Sequence, residues 1–214
     1  MAAKPDIAES AVPTAGMSTE LVREVAGVSL TTQRQYVIKR KFWSFLERIF
    51  HVWTVDGQLI MYIKHPLLKL REEFMVYEDE AQTRPLLRVK SKQVIAINFS
   101  YEITDANTGA LLGSVRKQGL KSILRDKFIV LDANGQEIGY AEEQGASVLR
   151  RFFPWLTSKH AIFANNQQVA FIEQKFRFFN KEFTVDLQQS SMDPRFVLAI
   201  ALLALIAEAR RENG

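Results

Sequence analysis

The sequence predicts a mainly β protein: a closed antiparallel barrel of about twelve strands around a buried, hydrophobic C-terminal helix. Three observations carry this expectation. Turn-forming residues recur at short intervals from Gln35 to Leu187, separating runs rich in Val, Ile, Phe and Tyr. That is the spacing of hairpins, not of βαβ units. Twelve uninterrupted apolar residues, Phe196 to Ala207, follow the last of these runs. Finally, 214 residues with 47% apolar content suffice to bury a full core in one domain.

The chain begins MAAKPDIAESAVPTAGMSTE, rich in Ala, Pro, Ser, Thr and acids. It lacks the apolar stretch of a secretory signal, so residues 1–33 are expected to be a flexible tail and lead-in, and the protein cytoplasmic. The barrel domain is expected over residues 34–211. Its turns are marked by Asp56-Gly57, Glu78 to Thr83, Asp105 to Gly109, Asp132 to Gly135 and Asn165 to Gln167. Asp and Asn cap their own turn backbones, and Gly supplies the positive φ of a tight hairpin. Two of these turns repeat: Gly113 lies four residues beyond Gly109, and Gly139 four beyond Gly135. A glycine inside a strand marks a bulge or the close approach of another backbone. No GxGxxG or GxxxxGK[ST] is present, so these are hairpin devices and not phosphate loops. The last strand reads Phe183, Val185 and Leu187 on one face and Thr184 and Asp186 on the other, the alternation of a half-buried strand.

Asp193 and Pro194 suit the N-cap and first position of a helix expected over 194–209. With no polar face between Phe196 and Ala207, this helix must be sheathed by protein or by lipid. Twelve residues at about 1.5 Å each span roughly 18 Å, against about 30 Å of hydrocarbon. Arg195 on one side and Glu208, Arg210 and Arg211 on the other leave no apolar extension. The preceding strands are the natural sheath.

Taken together, these features resemble the tubby C-terminal-like superfamily, and within it the LURP-one-related and phospholipid scramblase-like branch. The residues that carry the resemblance are Val55-Asp56-Gly57, Thr104 to Gly109, Leu131 to Gly135, and the strand Phe183 to Leu187 running into Asp193 and the apolar helix. It covers about residues 34 to 210. The resemblance implies a twelve-stranded barrel around the helix. It also implies functions that divide within the superfamily: phosphoinositide binding in tubby domains, and calcium-stimulated lipid movement in scramblases. The chain lacks the lipidated cysteines of scramblases, and Glu182, Asp186 and Asp193 are too sparse for a calcium loop.

Composition excludes more chemistry than it suggests. With no cysteine, disulfides, thiolate metal sites and thiol nucleophiles are absent. The three histidines, His51, His65 and His160, are far apart, and no GxSxG or HExxH occurs. Acidic neighbours such as Glu142-Glu143 point to opposite faces of a strand, so they do not form a dyad. No catalytic residue, metal site or cofactor is assigned, no small-molecule substrate is identified, and the expected protein is not an enzyme.

The net charge of +4 is uneven: residues 1–33 carry −2, residues 34–92 carry +5, residues 93–192 carry +1 and residues 193–214 are balanced. Such a surplus suits weak attraction to phosphates. The candidate anion- or lipid-binding residues are Lys39, Arg40, Lys41, Arg116, Lys117, Lys121, Arg125, Arg150 and Arg151. Trp43, Phe152, Phe153 and Trp155 adjoin two of these basic runs and are candidates for membrane contact. The same aromatics would also serve to plug one end of a barrel. No helix-turn-helix, zinc finger or RNP motif speaks for nucleic acid. The sequence therefore predicts a non-enzymatic binding module, peripheral at a membrane of anionic phospholipid or engaging a protein partner. A scramblase-like membrane protein and a purely structural interaction module are the alternatives.

Overall fold

The computed structural model describes residues 24–25, 27–30, 32–40, 47–66, 73–95, 98–117, 127–145, 157–175 and 181–211. A short hairpin, β1 (Glu24–Val25) and β2 (Val28–Ser29), leads into twelve barrel strands. These are β3 (Gln35–Arg40), β4 (Glu47–Thr54), β5 (Leu59–Pro66), β6 (Glu73–Tyr77), β7 (Pro85–Ile95), β8 (Asn98–Asp105), β9 (Leu111–Lys117), β10 (Lys127–Leu131), β11 (Glu137–Gln144), β12 (Lys159–Ala164), β13 (Gln167–Lys175) and β14 (Lys181–Leu187). Each pairs antiparallel with its neighbours in sequence, and β14 closes the barrel against β3. A closed meander leaves no edge strand to solvent. The chain then enters helix α1 (Pro194–Arg211), two residues longer than the sequence predicts.

Strand alternation fills the barrel. Tyr36 and Ile38, Phe50 and Val52, and Phe183 and Val185 point inward and are almost completely buried. They share one core with α1, every residue of which from Phe196 to Ile206 is at most 4% exposed. The apolar helix is therefore the core of the barrel. Leu30, just ahead of the first barrel strand, joins the same core. The Tyr36 hydroxyl donates to the carbonyls of Gln33 and Leu30, fixing that lead-in, and burial pushes the phenol pKa up.

The two in-strand glycines are sites of close approach, as their spacing predicts. A Cβ on Gly113 would collide with the Leu131 carbonyl and the Phe196 ring, and one on Gly139 with the Phe163 carbonyl. Gly113 thus lets the wall admit the first turn of α1. The predicted turns all form: Asp132 Oδ1, for example, accepts from the N–H groups of Asn134 and Gln136 at 2.9 and 2.8 Å.

Candidate functional site

A meander sorts its connections by end: successive ones alternate between the two rims. Stretches 55–58, 78–84, 106–110, 132–136 and 165–166, with 188–193 leading to α1, belong to the end that holds the helix N-terminus. Their charged residues are Asp56, Glu78, Asp79, Glu80, Asp132 and Asp193 against Arg84, net −5. Stretches 41–46, 67–72, 96–97, 118–126, 145–158 and 176–180 join strand ends at the opposite rim. Their charged residues are Lys41, Lys69, Arg71, Lys121, Arg125, Arg150, Arg151 and Arg177 against Glu72 and Asp126, net +6. By sequence, the connections of one rim are thus acidic and those of the other basic, the charged residues of the latter lying outside the described residues.

The described strand ends at the second rim add further cations. Lys39, Lys64 and Arg116 are exposed on the outer wall. Lys127 also faces outward, its Nζ 4.2 Å from the centre of the Tyr140 ring, an arrangement that favours the cation. Lys159 and Lys175 share Glu173 at 2.9 and 3.0 Å, and their hydrogen bonds hold its carboxyl below the usual range. Arg40 and Lys181 are directly opposite one another across the β14–β3 pair, half-buried on the inner face. Lys117 takes the inner face of β9, in step with buried Val115.

Inside this rim, His160 Nε2 lies 2.8 Å from Glu208 Oε2, with both side chains almost fully buried. Glu143, 1% exposed, sits opposite His160 across β11 and β12. At the other end, Arg195 is buried among carboxylates: its Nη1 donates to Asp105 at 2.6 Å and its Nη2 to Asp193 at 2.8 Å. Asp105 also accepts the N–H groups of Asn107 and Thr108 at 2.9 Å. Burial pushes the Asp105 carboxyl up. The Thr108 and Asn107 N–H groups and the Arg195 guanidinium outweigh it, so the pKa is lowered overall. Burial likewise opposes the Arg195 charge, and Asp193 and Asp105 more than restore it. Helix α1 is therefore tied to the wall at each end, 90 residues from Arg195 to Asp105 and 48 from Glu208 to His160.

Of the candidate contact residues, Lys39 and Arg40 end β3 and Arg116 and Lys117 end β9, all at the cationic rim. Within each pair the two side chains point to opposite faces, so neither run is a continuous strip. Lys41, Trp43, Lys121, Arg125, Arg150, Arg151, Phe152, Phe153 and Trp155 lie outside the described residues. The stretches that contain them, 41–46, 118–126 and 145–158, all join strand ends of that same rim. Sequence reasoning passed over the polar pairs at the ends of α1. It used Arg195 and Glu208 only as the charged flanks that bound the apolar run, although a sheathed helix carries its terminal charges into the wall with it.

Among the described residues, no cluster of three or more His, Asp or Glu side chains is arranged to hold a metal ion. A model of the LURP-one-related family matches residues 34–204, which is most of the chain. The chain belongs to the LURP-one-related family. Among solved structures, this LURP-one-related chain is similar to the X-ray structure of a protein from Arabidopsis thaliana. The two are 14% identical, with a TM-score of 0.50 over 82% of this chain and 92% of that one. At that identity the likeness is one of fold. No curated protein matches the chain.

Proposed function

We propose that this LURP-one-related barrel is a non-enzymatic module that docks end-on, by its cationic rim, onto an anionic membrane surface at the cytoplasmic face. The observation that carries the reading is topological. Cations dispersed through about 140 residues of sequence, from Lys39 to Lys181, belong to strand ends and connections of one rim, while the connections of the opposite end are acidic. Each basic residue near an anionic leaflet contributes about 1 kcal/mol, fading within a Debye length of about 10 Å at 0.1 M salt. Nine of the chain's 23 aromatic residues occur in the connections of that rim, and aromatic side chains favour the headgroup boundary.

Flotation of the full chain with phosphatidylserine-containing and pure phosphatidylcholine vesicles tests this. Co-flotation with the anionic vesicles alone, weakening as salt rises, is expected. Equal binding to both, or none at low salt, rejects it. A scramblase-like reading has less support, because it needs α1 to enter lipid, whereas Phe196 to Ile206 are enclosed by the wall. Among the described residues no helix is long and apolar enough to cross a membrane. Leu202→Lys separates the two readings. A core helix predicts loss of folding, because a buried ammonium lacks a partner there. A mere anchor predicts a folded barrel that no longer binds membranes.

A further inference from the structure

At the acidic end, a cavity of about 200 Å³ opens between the lead-in, the stretch 188–193 and the first turn of α1. Leu30, Val169, Leu187 and Val197 line its buried part. Arg34, Gln33, Gln188 and Gln189 line its outer part. We propose that this cavity binds a small apolar carboxylate, its hydrocarbon chain among the buried side chains and its head group on Arg34.

Size, preformation and charge each support this. By volume, an alkyl chain of about five carbons fits the space of about 200 Å³. The walls are held by hydrogen bonds within the chain. Leu187 N–H donates to the Arg34 carbonyl at 2.6 Å, Gln188 N–H to the Val169 carbonyl at 2.8 Å, and the Tyr36 hydroxyl to the Gln33 carbonyl at 3.2 Å. A site ordered in advance loses less entropy on binding. Arg34 has no carboxylate partner among the described residues, whereas nearby Asp186 accepts the Gln35 amide at 2.8 Å and Asp193 is held by Arg195. A guanidinium beside an apolar cleft recognises a planar carboxylate through paired N–H donors. The net negative charge of this end disfavours a dianion, so the site selects a carboxylate over a phosphate monoester.

The test uses the full chain, titrated near neutral pH with hexanoate, hexanol, hexylamine and hexyl phosphate and followed by amide NMR. Hexanoate should bind in the millimolar range, shifting the amides of 188–192, and hexanol roughly tenfold more weakly. Arg34→Gln should bring hexanoate down to the hexanol level and leave hexanol unchanged. Gln189→Trp, an exposed change at the mouth, should weaken both. Equal binding of hexanoate and hexanol, a preference for the amine or the phosphate, or shifts away from the cavity would each overturn the proposal. The site lies at the end opposite the cationic rim, so this outcome is independent of vesicle binding.

Discussion

At the end of the barrel holding the helix N-terminus, the strands are joined by connections of two to seven residues, and several of the acids there hold turns or the helix start. Asp79 accepts from the Thr83 N–H and hydroxyl at 2.9 and 2.6 Å, and Asp105 and Asp132 cap their own turns in the same way. At the opposite end the connections run to fourteen residues, and their sequences are cationic and aromatic. Part of the negative charge at the first end is therefore a by-product of closing tight hairpins, since Asp and Asn are the residues that do so. Nothing in hairpin chemistry calls for Lys, Arg, Phe and Trp at the second end. On the docking proposal, the first rim holds the barrel together and the second meets the membrane, and that contrast can be broken from either side.

The largest effect is expected at the buried clasp. Asp105→Ala leaves the Arg195 guanidinium inside the barrel mouth with Asp193 as its remaining carboxylate partner among the described residues. Removing one partner from a buried pair costs about 3–5 kcal/mol. Urea denaturation should show the midpoint falling with little change in slope. Adding Arg195→Met should recover part of the loss, because the stranded charge goes with it. A loss under about 1 kcal/mol for Asp105→Ala would mean that the clasp contributes little to holding α1.

Glu208→Gln probes the other end of the same helix. Glutamine retains an oxygen for His160 but removes the negative charge, so the expected loss is about 1–3 kcal/mol. A loss as large as that of Asp105→Ala would remove the mechanical difference between the two ends.

These contacts also mark where the sequence was legible. The hairpin turns, the Asp193 cap and the sheathed helix follow from local chemistry and were readable. So were Gly113 and Gly139, whose spacing signalled close approach. Asp105 with Arg195 and His160 with Glu208 were not, because each pair is brought together by barrel closure across distant sequence. The cationic rim was partly hidden for the same reason. Read along the chain, Lys39 to Lys41, Arg116 to Arg125 and Arg150-Arg151 are separate runs. They lie in, or at the strand ends leading into, the first, seventh and ninth connections of a meander, all odd-numbered, and so at one end, while the turn signals fill the even ones. Strand number had to be known before that parity could be used.

Acid titration sharpens the comparison further. The Asp105 pKa is depressed in the folded protein, so its stabilisation is present above the ordinary carboxylate pKa. It is lost as the pH falls through the lower folded value. Asp105→Asn should therefore flatten the acid limb of stability against pH, and its difference from wild type should shrink below about pH 3. An unchanged acid limb would assign that dependence to other carboxylates.

The smallest effect on stability, and the most informative for function, is expected from charge reversal on the outer wall. Lys39→Glu with Arg116→Glu places two acids on exposed strand ends of the cationic rim, and Asp56→Lys with Glu137→Lys does the converse at the acidic end. Exposed changes of this kind alter folding by about 0.5 kcal/mol or less. Both variants should thus melt close to the wild type. End-on docking predicts that the first variant loses most of its binding to anionic vesicles and the second almost none. A barrel drawn to the membrane by its net charge alone would behave differently. The first pair lowers net charge by four and the second raises it by four, so binding would fall and rise by comparable amounts regardless of which end carried the change. That symmetric response would dissolve the distinction between the ends as far as membrane contact is concerned.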